Sequence, residues 1–153
     1  MKCQSGFTII ELVVIMILIG ILAISVLPKL NSTEYQTVSF QDRAVSALRH
    51  AQKTATSHRR LVCVAFTASS VTLTIATAKD VSVCSTALRM PNGDAAVISG
   101  NTTSAIFNPV PAALFFQPDG RGTSDGAGSL VVDLNLLIAG QAIRVAGNTG
   151  YVQ

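Results

Sequence analysis

The chain has 153 residues, 49% of them hydrophobic and only 12% charged, with Lys and Arg numbering 11 against 8 Asp and Glu for a net charge of +3. So sparse a charge gives no basic field of the kind that gathers nucleic acid or an acidic membrane surface. Once one apolar segment is set aside, about 120 residues remain, enough for a single modest domain with its own core.

That apolar segment opens the chain. An almost unbroken run from Leu12 to Leu27 stops at Pro28. From Phe7 to Leu27 it has about the 20 residues that a helix rising 1.5 Å each needs to cross a hydrocarbon core of roughly 30 Å. Thr8 and Ser25 interrupt it mildly. Glu11 does so seriously, since an unpaired carboxylate near a membrane centre costs about 2.5 to 3.5 kcal/mol. The n-region is very short and no small-x-small site closes the run, so it does not read as a cleaved secretory signal. Cys3 precedes the apolar run, which rules out a lipoprotein signal. Pro28 lacks an amide hydrogen and its ring meets the carbonyl of Ile24, so a bend is expected there.

Beyond Pro28 the residues from Thr33 to Ser57 turn polar, with Val38, Val45, Leu48, Ala51 and Ala55 at helical spacing. Helix persisting from Phe7 to Ser57 would be about 75 Å long. Asn31-Ser32-Thr33 could break it or cap a second segment. His50, His58, Arg59 and Arg60 gather near its end, where positive charge suits the carbonyl terminus. From Leu61 the period changes to two. Strands are expected at Leu61 to Phe66 and Val71 to Ile75, then a turn at Pro91-Asn92-Gly93-Asp94. Further strands are expected near Ala95 to Ser99, Ala105 to Phe107, Ala113 to Gln117, Leu130 to Leu134, Ala142 to Val145 and Gly150 to Val152. A glycine-rich loop, 118–128, lies among them. The fold class is therefore α+β, a long N-terminal helix packed on an antiparallel β-rich head.

Chemistry of other kinds finds little footing. Gly122-Thr123-Ser124-Asp125-Gly126 fits the letters of a nucleophile elbow, but both histidines precede it and strand follows it. Asp119 and Asp125 lack the spacing of a calcium loop. Cys63, Cys84, His50 and His58 match no metal-ligand spacing. The triplets at Asn31 and Asn101 fit a glycosylation acceptor only by a pattern frequent by chance. No catalytic residue, metal or cofactor is expected, and the chain does not read as an enzyme.

Gly6, Phe7, Thr8, Ile9, Ile10 and Glu11, followed by the apolar run with Gly20 and Pro28, resemble the N-terminus of a type IV prepilin, a family that includes the pseudopilins of type II secretion. The resemblance implies cleavage by a prepilin peptidase between Gly6 and Phe7, N-methylation of Phe7, and a role for Glu11 in assembly. Gly20 and Pro28 match a helix-weakening glycine and a kinking proline. On the spacing alone, Glu11 and a new amine on Phe7 stand one helical turn apart and can pair within or between chains. The implied organisation is a leader at 1–6, a transmembrane and assembly helix at 7–28, its amphipathic continuation at 29–60 and a β-rich head at 61–153.

Cys3 would leave with the leader, so Cys63 and Cys84 remain as an even pair in a segment expected outside the cytoplasm. A disulfide follows, with two buried free thiols as the alternative. Phe116-Gln117-Pro118-Asp119-Gly120 is similar to a segment of the FimT and pseudopilin H class of minor pilins. That likeness implies a subunit stored in the inner membrane with a periplasmic head, incorporated at or near a pilus tip to prime assembly. A type II secretion pseudopilin and a minor pilin of mannose-sensitive haemagglutinin pili fit the same residues. Some FimT-class pilins bind DNA through a late arginine after a glycine, but here Tyr151 follows Gly150 and only Arg144 is near, so DNA is not an expected partner. The expected partners are other pilin or pseudopilin subunits, the peptidase and the inner membrane.

Overall fold

A computed structural model describes residues 8–26, 33–99 and 103–153, with side chains of 24–26 and 33 left aside. Helix α1 runs Ile9–Val26 and α2 runs Thr33–His58. Whether helix continues from one to the other lies outside the described residues, as do Pro28 and its expected bend.

α2 is built around an alanine-rich stripe. Phe40, Ala44, Ala47, Leu48, Ala51 and Ala55 are buried at steps of three, four and one residues, the spacing of one helical face. Small side chains let the helix lie close on the sheets. The expected stripe held Leu48, Ala51 and Ala55 but also Val38, which is 48% exposed. Val38 sits about half a turn from Phe40, so Phe40 takes the inward place and Val38 turns out. The helix ends where Arg59 adopts a φ of 52° and the Arg60 N–H donates to the Ala55 carbonyl at 3.2 Å, a Schellman-type closure of the last turn.

Two antiparallel sheets follow. The first contains β1 (Val62–Phe66), β2 (Ser70–Ile75), β3 (Thr86–Ala87), β4 (Ala96–Ile98), β5 (Leu114–Phe116) and β6 (Gly122–Thr123). Its order is β3-β2-β1-β5-β6, with β4 on the same edge of β2 as β3. Val64 pairs Leu73 and Leu114, and Val62 pairs Ile75 and Phe116. The second sheet is β7 (Leu134–Ile138), β8 (Gln141–Ala146) and β9 (Tyr151–Val152). β7 and β8 are joined at Ala139-Gly140, both with positive φ, 49° and 83°, the backbone of a tight twisted hairpin that glycine accepts without strain.

α2 packs on β1, β2, β4 and β5 and also on β9, so one core serves both sheets. Phe107 is its pivot, edge-on to Phe40 at 5.4 Å and to Phe66 at 5.5 Å between ring centres. Such pairs add about 0.5 to 1.5 kcal/mol beyond burial.

Two strand expectations and one loop expectation are corrected. Residues 105–107 form only a bridge, Phe107 to Ile138, although Ala105 and Phe107 are buried. The segment placed at Leu130 to Leu134 is mostly loop, with a bridge from Val131 to Thr123, and the strand proper starts at Leu134. Burial alternates along β7 at Leu136 and Ile138, beyond the window expected. The glycine-rich loop in turn contains a short strand, β6, paired with β5.

Candidate functional site: the N-terminal helix and the head that carries it

Thr8 begins α1 and makes its first bonds. The Leu12 N–H donates to the Thr8 carbonyl at 3.2 Å, and the Glu11 N–H reaches the Thr8 hydroxyl at 3.4 Å. Thr8-x-x-Glu11 thus follows the capping-box pattern, with a carboxylate in the first turn where the helix dipole favours negative charge. Every described side chain from Ile9 to Ala23 is exposed. Ile9 is 85% exposed and Ile21 62%. A helix that is apolar all round belongs in a membrane or in the core of an assembly. Thr8, Ile10, Glu11, Val14 and Ile15 form an open, largely apolar stretch of the helix surface. Gly20 faces open space, since a Cβ there would meet nothing within 4 Å. Gly6 and Phe7 lie outside the described residues.

α1 as described has 18 residues, about 27 Å at 1.5 Å per residue. Among the described residues no helix is long and apolar enough to cross a membrane. The expected span, Phe7 to Leu27, has both ends outside the described residues.

In the head, Cys63 of β1 and Cys84 are joined by a disulfide across a sequence separation of 21, their Cα atoms 6.1 Å apart. It pins the segment leading into β3 against β1. Two residues before Cys84, the Ser82 carbonyl lies so close to Gly126 that a Cβ there would collide with it. The glycine-rich loop and the disulfide-bound segment therefore pack backbone to backbone.

Within that loop Asp119 is held by Arg121, which donates its backbone N–H at 3.0 Å and its Nε at 2.6 Å. Burial pushes the Asp119 carboxyl up, but the hydrogen bonds and charge of Arg121 outweigh it and hold the group below its ordinary value. Thr123, fully buried, donates to the Asp125 carbonyl at 2.7 Å and accepts from Gln117 Nε2 at 2.8 Å. Asp125 accepts the Ser129 N–H at 2.9 Å. Asp119 and Asp125 are thus occupied in shaping turns. Ser124 is exposed and the next element is β7 rather than a helix. His50 and His58 both lie on α2.

The C-terminal strand is fastened to α2. Arg49 donates Nε and a terminal nitrogen to the Val152 carbonyl at 3.2 and 3.1 Å, and Gln52 donates to Thr149 O at 2.6 Å. Sequence reading missed this clamp, because a polar residue on a helix gives no sign of a partner about 100 residues away. Arg144 sits opposite Asn135 on β7 and β8, with Asp133, Asn135 and Gln153 around it in an open depression.

Residues 1–27 match the family model described as the prokaryotic N-terminal methylation motif. No curated protein and no solved structure matches the chain. The motif supports a type IV pilin-like or pseudopilin-like prepilin, a membrane-anchored precursor that prepilin peptidase processes and that assembles with other pilin subunits. The two helices and antiparallel sheets are consistent with an α+β pilin-like fold.

Proposed function

We propose that the chain is a minor type IV pilin, a structural subunit rather than an enzyme. It is stored in the inner membrane as a single-pass protein with the disulfide-bearing head in the periplasm. Prepilin peptidase cuts between Gly6 and Phe7, the new amine on Phe7 is methylated, and the subunit joins other pilins through its N-terminal helix at or near the pilus tip, where it primes assembly. The observation that carries this reading is the methylation motif continued into a helix whose side chains are exposed and apolar, with a single carboxylate, Glu11, in its first turn. Glu11 supplies a negative charge one turn from the amine that cleavage would create, so two subunits can neutralise each other's charge in the apolar interior of a fibre.

Mass spectrometry of the protein from a producing cell tests the processing step. The expected N-terminus is Phe7 carrying one added methyl group. An intact Met1, or a cut beyond Ser25, would end the prepilin reading. Which fibre contains the mature protein, a surface pilus or a periplasmic pseudopilus, is then read by immunogold labelling of sheared fibres.

A further inference from the structure

Of the asparagines in the chain, only Asn92 is followed by glycine. Glycine has no Cβ to crowd its own amide nitrogen, so Asn92 has the least obstructed backbone nucleophile beside it of any side-chain amide in the chain. The pair sits in an exposed turn, Pro91-Asn92-Gly93-Asp94. The Gly93 N–H donates to the Met90 carbonyl at 2.9 Å, and the Met90 N–H donates to the Asp94 carbonyl at 2.9 Å. Gly93 has a φ of 90°, which makes this a type I turn followed by a left-handed glycine. Asp94 holds the Asn92 side chain at both of its polar atoms. Asn92 Nδ2 donates to Asp94 Oδ2 at 2.6 Å, and Asn92 Oδ1 accepts the Asp94 N–H at 3.1 Å.

From this we infer that Asn92 is a site of self-modification, losing its side-chain amide through a cyclic imide, and that the Asp94 carboxylate sets the pace by holding that amide away from Gly93. The Gly93 nitrogen gives up its proton to water or hydroxide and attacks Asn92 Cγ. The Cγ–Nδ2 bond breaks, and ammonia leaves with a proton from solvent. Water then opens the five-membered imide. Opening between Gly93 N and Cγ leaves aspartate, whereas opening between Gly93 N and the main-chain carbonyl carbon leaves isoaspartate, with the chain running through Cγ. Nothing is oxidised or reduced. Before the attack, Gly93 N must leave Met90 O and the Asn92 amide must leave Asp94, so the reaction waits on an opening of the turn. The product carries a new carboxylate beside that of Asp94 and has lost the bond between the two side chains. Asp94 lies 3.8 Å from Arg43, which also donates to Ile98 O at 3.4 Å. The change is therefore passed to the end of β4 and to α2, on which β4 packs.

Incubation of the full detergent-solubilised chain at warm, mildly alkaline conditions tests this. Mass spectrometry of the peptide following Arg89 should show the replacement of NH2 by OH at Asn92, and protein isoaspartyl methyltransferase should label the isoaspartate. Asn92→Gln, whose longer side chain would have to close a six-membered ring, should lose the label with the fold intact. Asp94→Ala should quicken the modification about fivefold, the ratio set by one hydrogen bond of ordinary net strength. The urea-unfolded chain should react faster still. A wild type that stays unmodified at Asn92 while the unfolded chain reacts there overturns the modification site. Equal rates in wild type and Asp94→Ala, with the turn amides unchanged by NMR, overturn the restraint by Asp94.

Discussion

Removing the Cys63–Cys84 disulfide should loosen the whole head. The bridge closes a loop with a sequence separation of 21, and the chain-entropy relation assigns a loop of that size about 3 kcal/mol. It joins β1, at the centre of the first sheet, to a segment whose Ser82 carbonyl supports Gly126. If the constraint acts on the unfolded chain, the loss is felt wherever exchange requires global unfolding of the head, not only beside the bridge. The perturbation is Cys63→Ser with Cys84→Ser in the full detergent-solubilised chain, read by amide hydrogen exchange. Protection of the β1 and β5 amides, Val62, Val64 and Leu114 among them, should fall on the order of 100-fold, since every 1.4 kcal/mol is a factor of ten. Loss confined to residues 77–87 with β1 unchanged would refute the reasoning and make the bridge a local tether.

Gly147→Ala should cost about 1 to 3 kcal/mol, because a Cβ there would run into the Val132 carbonyl and Gly147 links the sheets by accepting from Gly122 N at 2.7 Å; urea titration followed by exchange at β6 and β8 measures it. Gly20→Ala, where a Cβ meets nothing, should stabilise α1 by about 1 kcal/mol, read by exchange of the α1 amides. Asp119 has a folded pKa below the unfolded value near 3.9, so its contribution is present above that value and is lost as pH falls through the lower folded one. With half of its side chain exposed the effect is a few tenths of a kcal/mol; Asp119→Asn should flatten acid destabilisation below about pH 4, and a carboxyl titrating at or above the ordinary value by NMR would refute it. Glu11→Ala should ease insertion by about 2.5 to 3.5 kcal/mol and leave membrane level and cleavage normal while incorporation into fibres falls; normal incorporation would remove the assembly role of Glu11.

The change of period at Leu61 was legible because β1 and β2 are half-buried strands, and alternation such as Val71, Leu73 inward and Thr72, Thr74 outward survives in the folded head. Where burial came from two sides, the period failed. Ala105 and Phe107 alternate like a strand, yet Phe107 is held by Phe40 and Phe66 instead of by a ladder. β6 has only Gly122 and Thr123, too short for any period, and is fixed by contacts to Phe115 and Phe116 that are made only after folding. Leu134 to Ile138 is hard to place from sequence because its turn, Ala139-Gly140, carries a positive φ on an alanine, which no turn preference predicts.

On α2 the seven-residue spacing from Val38 to Val45 suggests one stripe with Leu48 and the alanines, but Val45 reaches only the core's margin and Val38 stays exposed on the far side of the helix. Phe40, Ala44, Ala47 and Ala51 drift around one side and close on the head, while Tyr35, Val38 and Asp42 remain outside. Burying a valine contributes about 1.5 to 3 kcal/mol, so a core free to choose would have taken Val38. The core excludes it because Phe40 already fills that level of the helix against Phe107, 5.4 Å away. Val38 is therefore left 48% exposed on the outer side of α2, one turn from the exposed Asp42. The same reasoning applies to α1, where Ile9 to Ala23 find no cover in the head at all.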